Sequence, residues 1–269
     1  MELPAILTRI CPAHGAAIPY GVAMASTQVL PAHQRHLGTL PRLLFALNAI
    51  VAWVGVGIST TSSAAGLYRY EVTDPNLFQT GATAIARLVN SYSYFTMWSN
   101  LTVAIVMTIL AIAPNRGRIF HVFRLDALLM ITVTGIIYWG MLAATNTSQG
   151  IDRVGNLFNH SITPVLTEVI WLVAGPRNWI RWWTPLAALI LPMSWAAYTL
   201  VRGAAINQYP YPFLNVAKYG LSSVLTTILM IAIFGLVVGY VYYGIDYALS
   251  RKARKAAAAA EPEPTAAGA

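Results

Sequence analysis

LLFALNAIVAWVGVGISTTSSAAGLY, residues Leu43 to Tyr68, contains no charged side chain. A helix needs roughly 20 apolar residues to cross a bilayer's hydrocarbon core, because lipid offers no partner to a backbone N–H or C=O and the span must satisfy its own. The stretch is long enough. Five further windows follow: Leu88 to Asn115, Ala127 to Ile151, Val154 to Pro176, Trp182 to Val201 and Tyr219 to Ile245. One charge lies inside them, Glu168 in the fourth span. Composition agrees, since 57% of residues are hydrophobic and 10% charged, whereas a soluble domain carries about a quarter charged residues. The sequence therefore predicts an all-α polytopic membrane protein, a bundle of six transmembrane helices. Its connectors are too short for a soluble catalytic domain, so any chemistry sits among the helices.

The formal charge of +8 is distributed by topology, not as a nucleic-acid footprint. With the N-terminus inside, the inner segments hold Arg9, Arg35, Arg42, Arg116, Arg118, Arg124, Arg177, Arg181, Arg251, Lys252, Arg254 and Lys255. Arg69, Arg87, Arg153, Arg202 and Lys218 fall outside. The imbalance places both termini on the cytoplasmic side of the cell membrane. The expected partners are membrane lipids, with no nucleic acid, and the sequence sets no oligomeric state.

Three segments result: a loosely ordered cytoplasmic extension over 1–40, the membrane domain over 41–250, and a disordered tail over 251–269. The apolar stretch Ala16 to Leu30 is too short to span. Met24 opens a polar leader before the first span and is an alternative start of translation. In the tail, the basic cluster Arg251 to Lys255 suits anionic headgroups, and KAAAAAEPEPTAAGA is too low in complexity to bury a core. Cys11 is the only cysteine, so no intramolecular disulfide forms. His33 and His36 lack further ligands nearby, and neither a metal nor a cofactor is expected.

Polar side chains inside a bilayer are expensive, which makes two spans candidates for function. In SYSYFTMWSNLTVAI the residues Thr96, Ser99 and Asn100 fall at i, i+3 and i+4, on one helical face. In NHSITPVLTEVIW, His160, Thr163, Pro164, Thr167 and Glu168 fall at i, i+3, i+4, i+7 and i+8, a polar stripe. Both spans enter from the outer side, so Thr96 and His160 should lie within about one turn of each other in depth. Each residue also has a purely structural explanation. Threonine commonly bonds back to a carbonyl one turn earlier, and His160, Asn100 or Glu168 can serve as interhelical glue. Pro164 is expected to kink its helix and free a carbonyl near His160. The connector NQYPYPFLNV, Asn207 to Val216, reads as a rigid outer loop able to cover a site.

Tyr94-Phe95-Thr96 followed by Asn100, Asn159-His160 with Pro164, and Tyr211-Pro212-Phe213-Leu214 resemble the motifs of the androgen-induced gene family of six-span membrane proteins and its bacterial relatives. The resemblance covers roughly Leu43 to Ser250. It implies an intramembrane threonine hydrolase acting on lipid esters such as fatty acid esters of hydroxy fatty acids, with Thr96 as nucleophile and His160 as base. Asn100, Asn159 and Glu168 are possible supporting residues. Two rivals remain. One is a transporter or channel with His160 and Glu168 along a proton or solute path. The other is a noncatalytic scaffold whose polar residues hold helices together.

Overall fold

The computed structural model describes residues 38–67, 72–113 and 117–259. Most of the N-terminal extension, with Cys11, Met24, His33 and His36, and the tail over 260–269 lie outside the described residues. Among the described residues six helical segments are long and apolar enough to cross a membrane. No strand forms among them; an isolated bridge pairs Leu77 with Tyr209.

Helix α1 (Thr39–Ala65) ends at Gly66, whose left-handed φ of 69° lets its N–H return to the Ser62 and Ser63 carbonyls. A loop leads to the short α2 (Ala84–Ser91), capped by the Thr83 hydroxyl on the Ala86 N–H at 3.1 Å. The second span is α3 (Phe95–Ile112), and the third is α4 (Arg118–Ile137) extended by a wide π turn over Tyr138–Leu142. The fourth span joins α5 (Ile151–Leu157), a second π turn (Phe158–Ile162) and α6 (Thr163–Ala174). The fifth joins α7 (Thr184–Ala187) and α8 (Ile190–Ile206). The last, α9 (Val216–Ala259), is broken near its start at Gly220, whose φ of 76° no other residue adopts cheaply.

Three boundaries differ from expectation, each for a physical reason. The window Leu88 to Asn115 is not one helix: the chain turns at Tyr92 to Tyr94 before α3 begins at Phe95, which puts Thr96 in a helical first turn. The third span begins at Arg118, not Ala127, because its charged residues are accommodated inside the helix. Arg124 donates to the Pro176 carbonyl at 2.7 Å and lies 4.7 Å from the Trp179 ring centre. At the far end α9 runs through Arg251, Lys252 and Lys255 to Ala259, where disorder was expected. Alanine and lysine are strong helix formers, and an established helix propagates into them more easily than a new one nucleates.

The interior is built on α1 lying along α3, with Phe45, Ala49 and Ala52 against Val103, Ala104 and Met107, and with Ala127, Ile131 and Ile170 completing the cluster. Outward-facing positions are apolar. Along α9, Leu221, Leu225, Leu229, Ile233, Val237 and Val241 form an exposed ridge at four-residue spacing, the surface expected to face acyl chains. Lipid contributes no hydrophobic force between helices, so close packing and buried polar contacts must hold them together. Asn48 on α1 donates to Thr167 on α6 at 3.0 Å, and Thr134 on α4 donates to Ser99 on α3 at 2.8 Å. Gly55 lets α1 approach the fourth span, since a Cβ there would lie 2.6 Å from Asn159 Oδ1 and 3.1 Å from Phe158 Cβ.

Two substitutions on one helix test this approach. Gly55→Ala is expected to destabilise the detergent-solubilised protein by about 1–3 kcal/mol through overpacking. Gly57→Ala, whose Cβ would meet nothing within 4 Å, should be neutral or slightly stabilising. Equal thermal midpoints for the two variants would refute the close packing at Gly55.

Candidate active site

Thr96 occupies the first turn of α3, where no helical carbonyl lies one turn earlier to accept its hydroxyl. Thr60, Thr102 and Thr108 do bond back in that way, each at 2.7 Å. The Thr96 hydroxyl instead faces another helix, and its Oγ1 lies 3.1 Å from His160 Nε2. Its backbone is fixed from below, because Ser99 Oγ and Asn100 Nδ2 both donate to the Thr96 carbonyl, at 3.0 and 2.9 Å.

The histidine's proton arrangement follows from its neighbours. His160 Nδ1 lies 3.3 Å from the Asn156 carbonyl, which can only accept, so Nδ1 carries the hydrogen and Nε2 presents a lone pair to Thr96. The ring stacks on Tyr138 with centroids 4.0 Å apart and planes 24° from parallel. Tyr138 accepts a hydrogen bond from Asn156 Nδ2, so the residue that orients the imidazole also fixes the ring beside it. Both aromatic partners sit in π turns, a wider coil that often marks functional positions. Pro164 lacks an N–H, which leaves the His160 carbonyl without its helical partner; Trp139 Nε1 supplies one at 3.2 Å.

The expected supporting residues divide. Asn100 Nδ2 also donates to the Asn159 carbonyl at 3.1 Å, and Asn159 Nδ2 donates to Ser59 Oγ at 2.7 Å. Both amide groups are therefore committed to holding α1, α3 and the fourth span together. Glu168 stands apart, eight residues beyond His160 and roughly 12 Å further along the helix axis at 1.5 Å per residue. Its Oε1 accepts from Thr132 at 2.6 Å and Tyr242 at 2.5 Å. The stripe predicted on the fourth span fans out: His160 faces α3, Thr167 faces α1, and Glu168 faces α4 and α9. Thr167 and Glu168 are consecutive and lie about 100° apart around α6, and the π turn above them rotates His160 relative to both.

Two cavities meet at the pair. One, about 810 Å³ with its open mouth included, extends between α4, α8 and α9 past Leu129, Leu189, Ile228 and Gly235; its walls are almost wholly apolar. The other, about 1650 Å³ with its open mouth included, lies under the connectors around Asp74 and Pro210 and is lined by Asp74, Gln79, Asn90, Asn156 and other polar residues. Thr96, Tyr138, Leu142, His160 and Tyr211 line both. Glu168 lines neither.

The connectors forming the polar chamber are tied to one another. Phe78 N–H donates to the Tyr209 carbonyl at 3.1 Å and Tyr209 N–H to the Asn76 carbonyl at 2.8 Å. Arg202 donates to Asn90 Oδ1 at 2.6 Å, and Asn215 to Asp74 Oδ2 at 3.1 Å. From this braced loop Tyr211 reaches inward: Thr96 N–H donates to its hydroxyl at 3.4 Å, and Thr96 Oγ1 lies 3.4 Å from the same oxygen. Spacing alone did not assign Tyr211 a place at the site; its signal was the Tyr-Pro-Phe-Leu motif. Asn156, Tyr138 and Trp139 carried none, because their roles arise from the π turns. Comparisons of the chain with models of known protein families, with curated proteins and with solved structures find no match.

Glu168 tests the separation between site and scaffold. Glu168→Ala removes the acceptor shared by Thr132 and Tyr242 and is expected to lower stability by on the order of 1 kcal/mol. Reactivity of the Thr96 hydroxyl toward an electrophilic probe should stay within twofold of wild type. Loss of that reactivity at unchanged thermal stability would place Glu168 in the site.

Proposed function

We propose that the chain is an intramembrane lipid-ester hydrolase of the cell membrane, with Thr96 as nucleophile and His160 as base. The observation that carries this reading is the 3.1 Å contact between Thr96 Oγ1 and a His160 Nε2 that the Asn156 carbonyl leaves unprotonated. A threonine hydroxyl is a weak nucleophile at neutral pH, and an adjacent oriented base is what activates it. Thr96 Oγ1 attacks the ester carbonyl carbon while its proton passes to His160 Nε2. Collapse of the tetrahedral adduct expels the alcohol, which takes that proton, and leaves an acyl-threonine. Water, deprotonated by His160, then releases the acid and restores Thr96.

The two cavities support a substrate that is apolar at one end and polar at the other. The channel past Leu129 and Gly235 suits an acyl chain, and the chamber under the outer connectors suits the alcohol and the hydrolytic water. Their junction near the bundle's end matches an ester lying just below the headgroups. The motif resemblance to the androgen-induced family points to the same substrate class. The distribution of basic residues supports an orientation with both termini cytoplasmic, which turns the polar chamber outward. Against a proton or solute path, Glu168 lines neither cavity and its Oε1 is already taken by two hydroxyl donors.

Fluorophosphonate labelling and p-nitrophenyl ester hydrolysis in detergent micelles test the proposal. Wild type should label and turn over, and Thr96→Ala and His160→Ala should each lose roughly 10³-fold or more of the hydrolytic rate. Equal labelling and turnover in all three proteins would reject it. The acyl channel has its own test at Gly235, where a Cβ would make ordinary contacts with Leu189 at 3.8 Å and Leu129 at 4.0 Å. Gly235→Leu should reduce kcat/KM for long-chain esters about tenfold or more and leave short-chain esters unchanged. A uniform effect across chain lengths would move the acyl chain out of this channel.

A further inference from the structure

Resting on the hydrolase reading, the geometry points to Tyr211 as the catalytic oxyanion donor: its phenolic O–H bonds to the substrate's carbonyl oxygen as Thr96 attacks.

The direction of that O–H follows from what surrounds its oxygen. The Tyr211 oxygen accepts the Thr96 N–H, an orphan donor of the α3 first turn. Backbone amides carry only hydrogen to offer, so the phenol's own proton must point elsewhere. The remaining polar atom within reach is Thr96 Oγ1 at 3.4 Å. Tyr211 O–H therefore points toward Thr96 Oγ1, whose hydrogen in turn points to His160 Nε2. When Oγ1 bonds to the carbonyl carbon, electron density moves onto the carbonyl oxygen beside it. The O–H aimed at the nucleophile is then freed to follow that charge. No proton is transferred; the phenol donates a hydrogen bond that strengthens as the oxyanion forms.

The same position gives two further advantages. Helix α3 directs its positive end at the Tyr211 oxygen, so the phenol is polarised as a donor toward an anion. Burial raises the Tyr211 pKa above its ordinary value of 10.0, which keeps the proton in place. The ring is also rigid, stacked on Phe213 at 5.2 Å with planes 3° apart and met edge-on by Tyr94 at 5.5 Å. A donor held before the reaction begins costs no reorganisation during it. The other nearby donors are engaged in holding the site: Asn100 spends both amide hydrogens on carbonyls, Trp139 donates to the His160 carbonyl, and Asn159 and Asn156 each give one hydrogen, to Ser59 and to Tyr138.

Tyr211→Phe in the full-length, detergent-solubilised protein removes the donor and keeps the ring. Expected is a fall in kcat of about 10²–10³-fold, the usual loss for one oxyanion donor, with KM little changed. Affinity for a trifluoromethyl ketone, which forms the tetrahedral adduct, should fall with kcat, whereas a non-hydrolysable ether analogue should bind as to wild type. If Tyr211→Phe does not fold, Tyr211→3-fluorotyrosine keeps the ring and hydroxyl but changes its acidity, and kcat should shift while KM holds. Wild-type kcat in Tyr211→Phe overturns the assignment and leaves the hydrolase reading intact. A parallel loss of ether binding and kcat also overturns it, since it would make Tyr211 a binding-site wall. Absence of hydrolysis by the wild type removes both.

Discussion

One buried hydrogen bond sets the register on which the site depends: Asn100 Nδ2 on α3 to the Asn159 carbonyl on the fourth span, at 3.1 Å. Asn100 lies one helical turn below Thr96, and Asn159 is the residue before His160. The same amide also donates to the Thr96 carbonyl, so it grips both sides of the pair at once. In water, apolar burial would press these helices together; between lipid-solvated helices such directional bonds and close packing must do so. Slipping α3 by one turn would move Thr96 by about 5.4 Å and end its contact with the imidazole.

The two π turns are the second structural requirement. An ordinary α-helix through 158–162 would keep His160 on the same face as Thr167. The wider turn separates them, and the proline that follows turns a lost backbone bond into an acceptor for Trp139. The facing π turn on the third span brings Tyr138 against the imidazole. Both π turns lie at the level where the two cavities meet, with Tyr138 and Asn159 buried and Trp139 and Met141 on the surface.

Position in the bundle then separates polar from apolar space. Above the pair lie connectors held by Phe78, Tyr209, Arg202 and Asp74; below it lies a channel walled by Leu, Ile and Pro side chains. A lipid ester presents the same division, a polar linkage with a hydrocarbon chain beneath it. Other polar contacts between helices, Asn48 with Thr167 and Glu168 with Thr132 and Tyr242, serve helix pairing away from this junction.

Much of the fold was legible in the sequence. Six charge-poor windows gave six spanning helices, because the need to satisfy every backbone group in lipid leaves helices as the solution for such segments. Helical spacing and shared depth nominated Thr96 and His160, and Pro164 announced the freed carbonyl. Charge alone misplaced the third span's start, because Arg124 finds a carbonyl and a Trp179 face that no periodicity reveals. Spacing likewise drew one polar stripe where the structure has three separate contacts: Thr167 and Glu168 lie about 100° apart around α6, and the π turn that rotates His160 away leaves no mark in residue pattern. That the two side chains lie 3.1 Å apart, and that Tyr211 reaches them from a loop 115 residues beyond Thr96, was decided by tertiary structure. Span count follows from local solvation, which each segment carries in its own residues. Contact across helices depends on register and loop closure, which belong to no single segment.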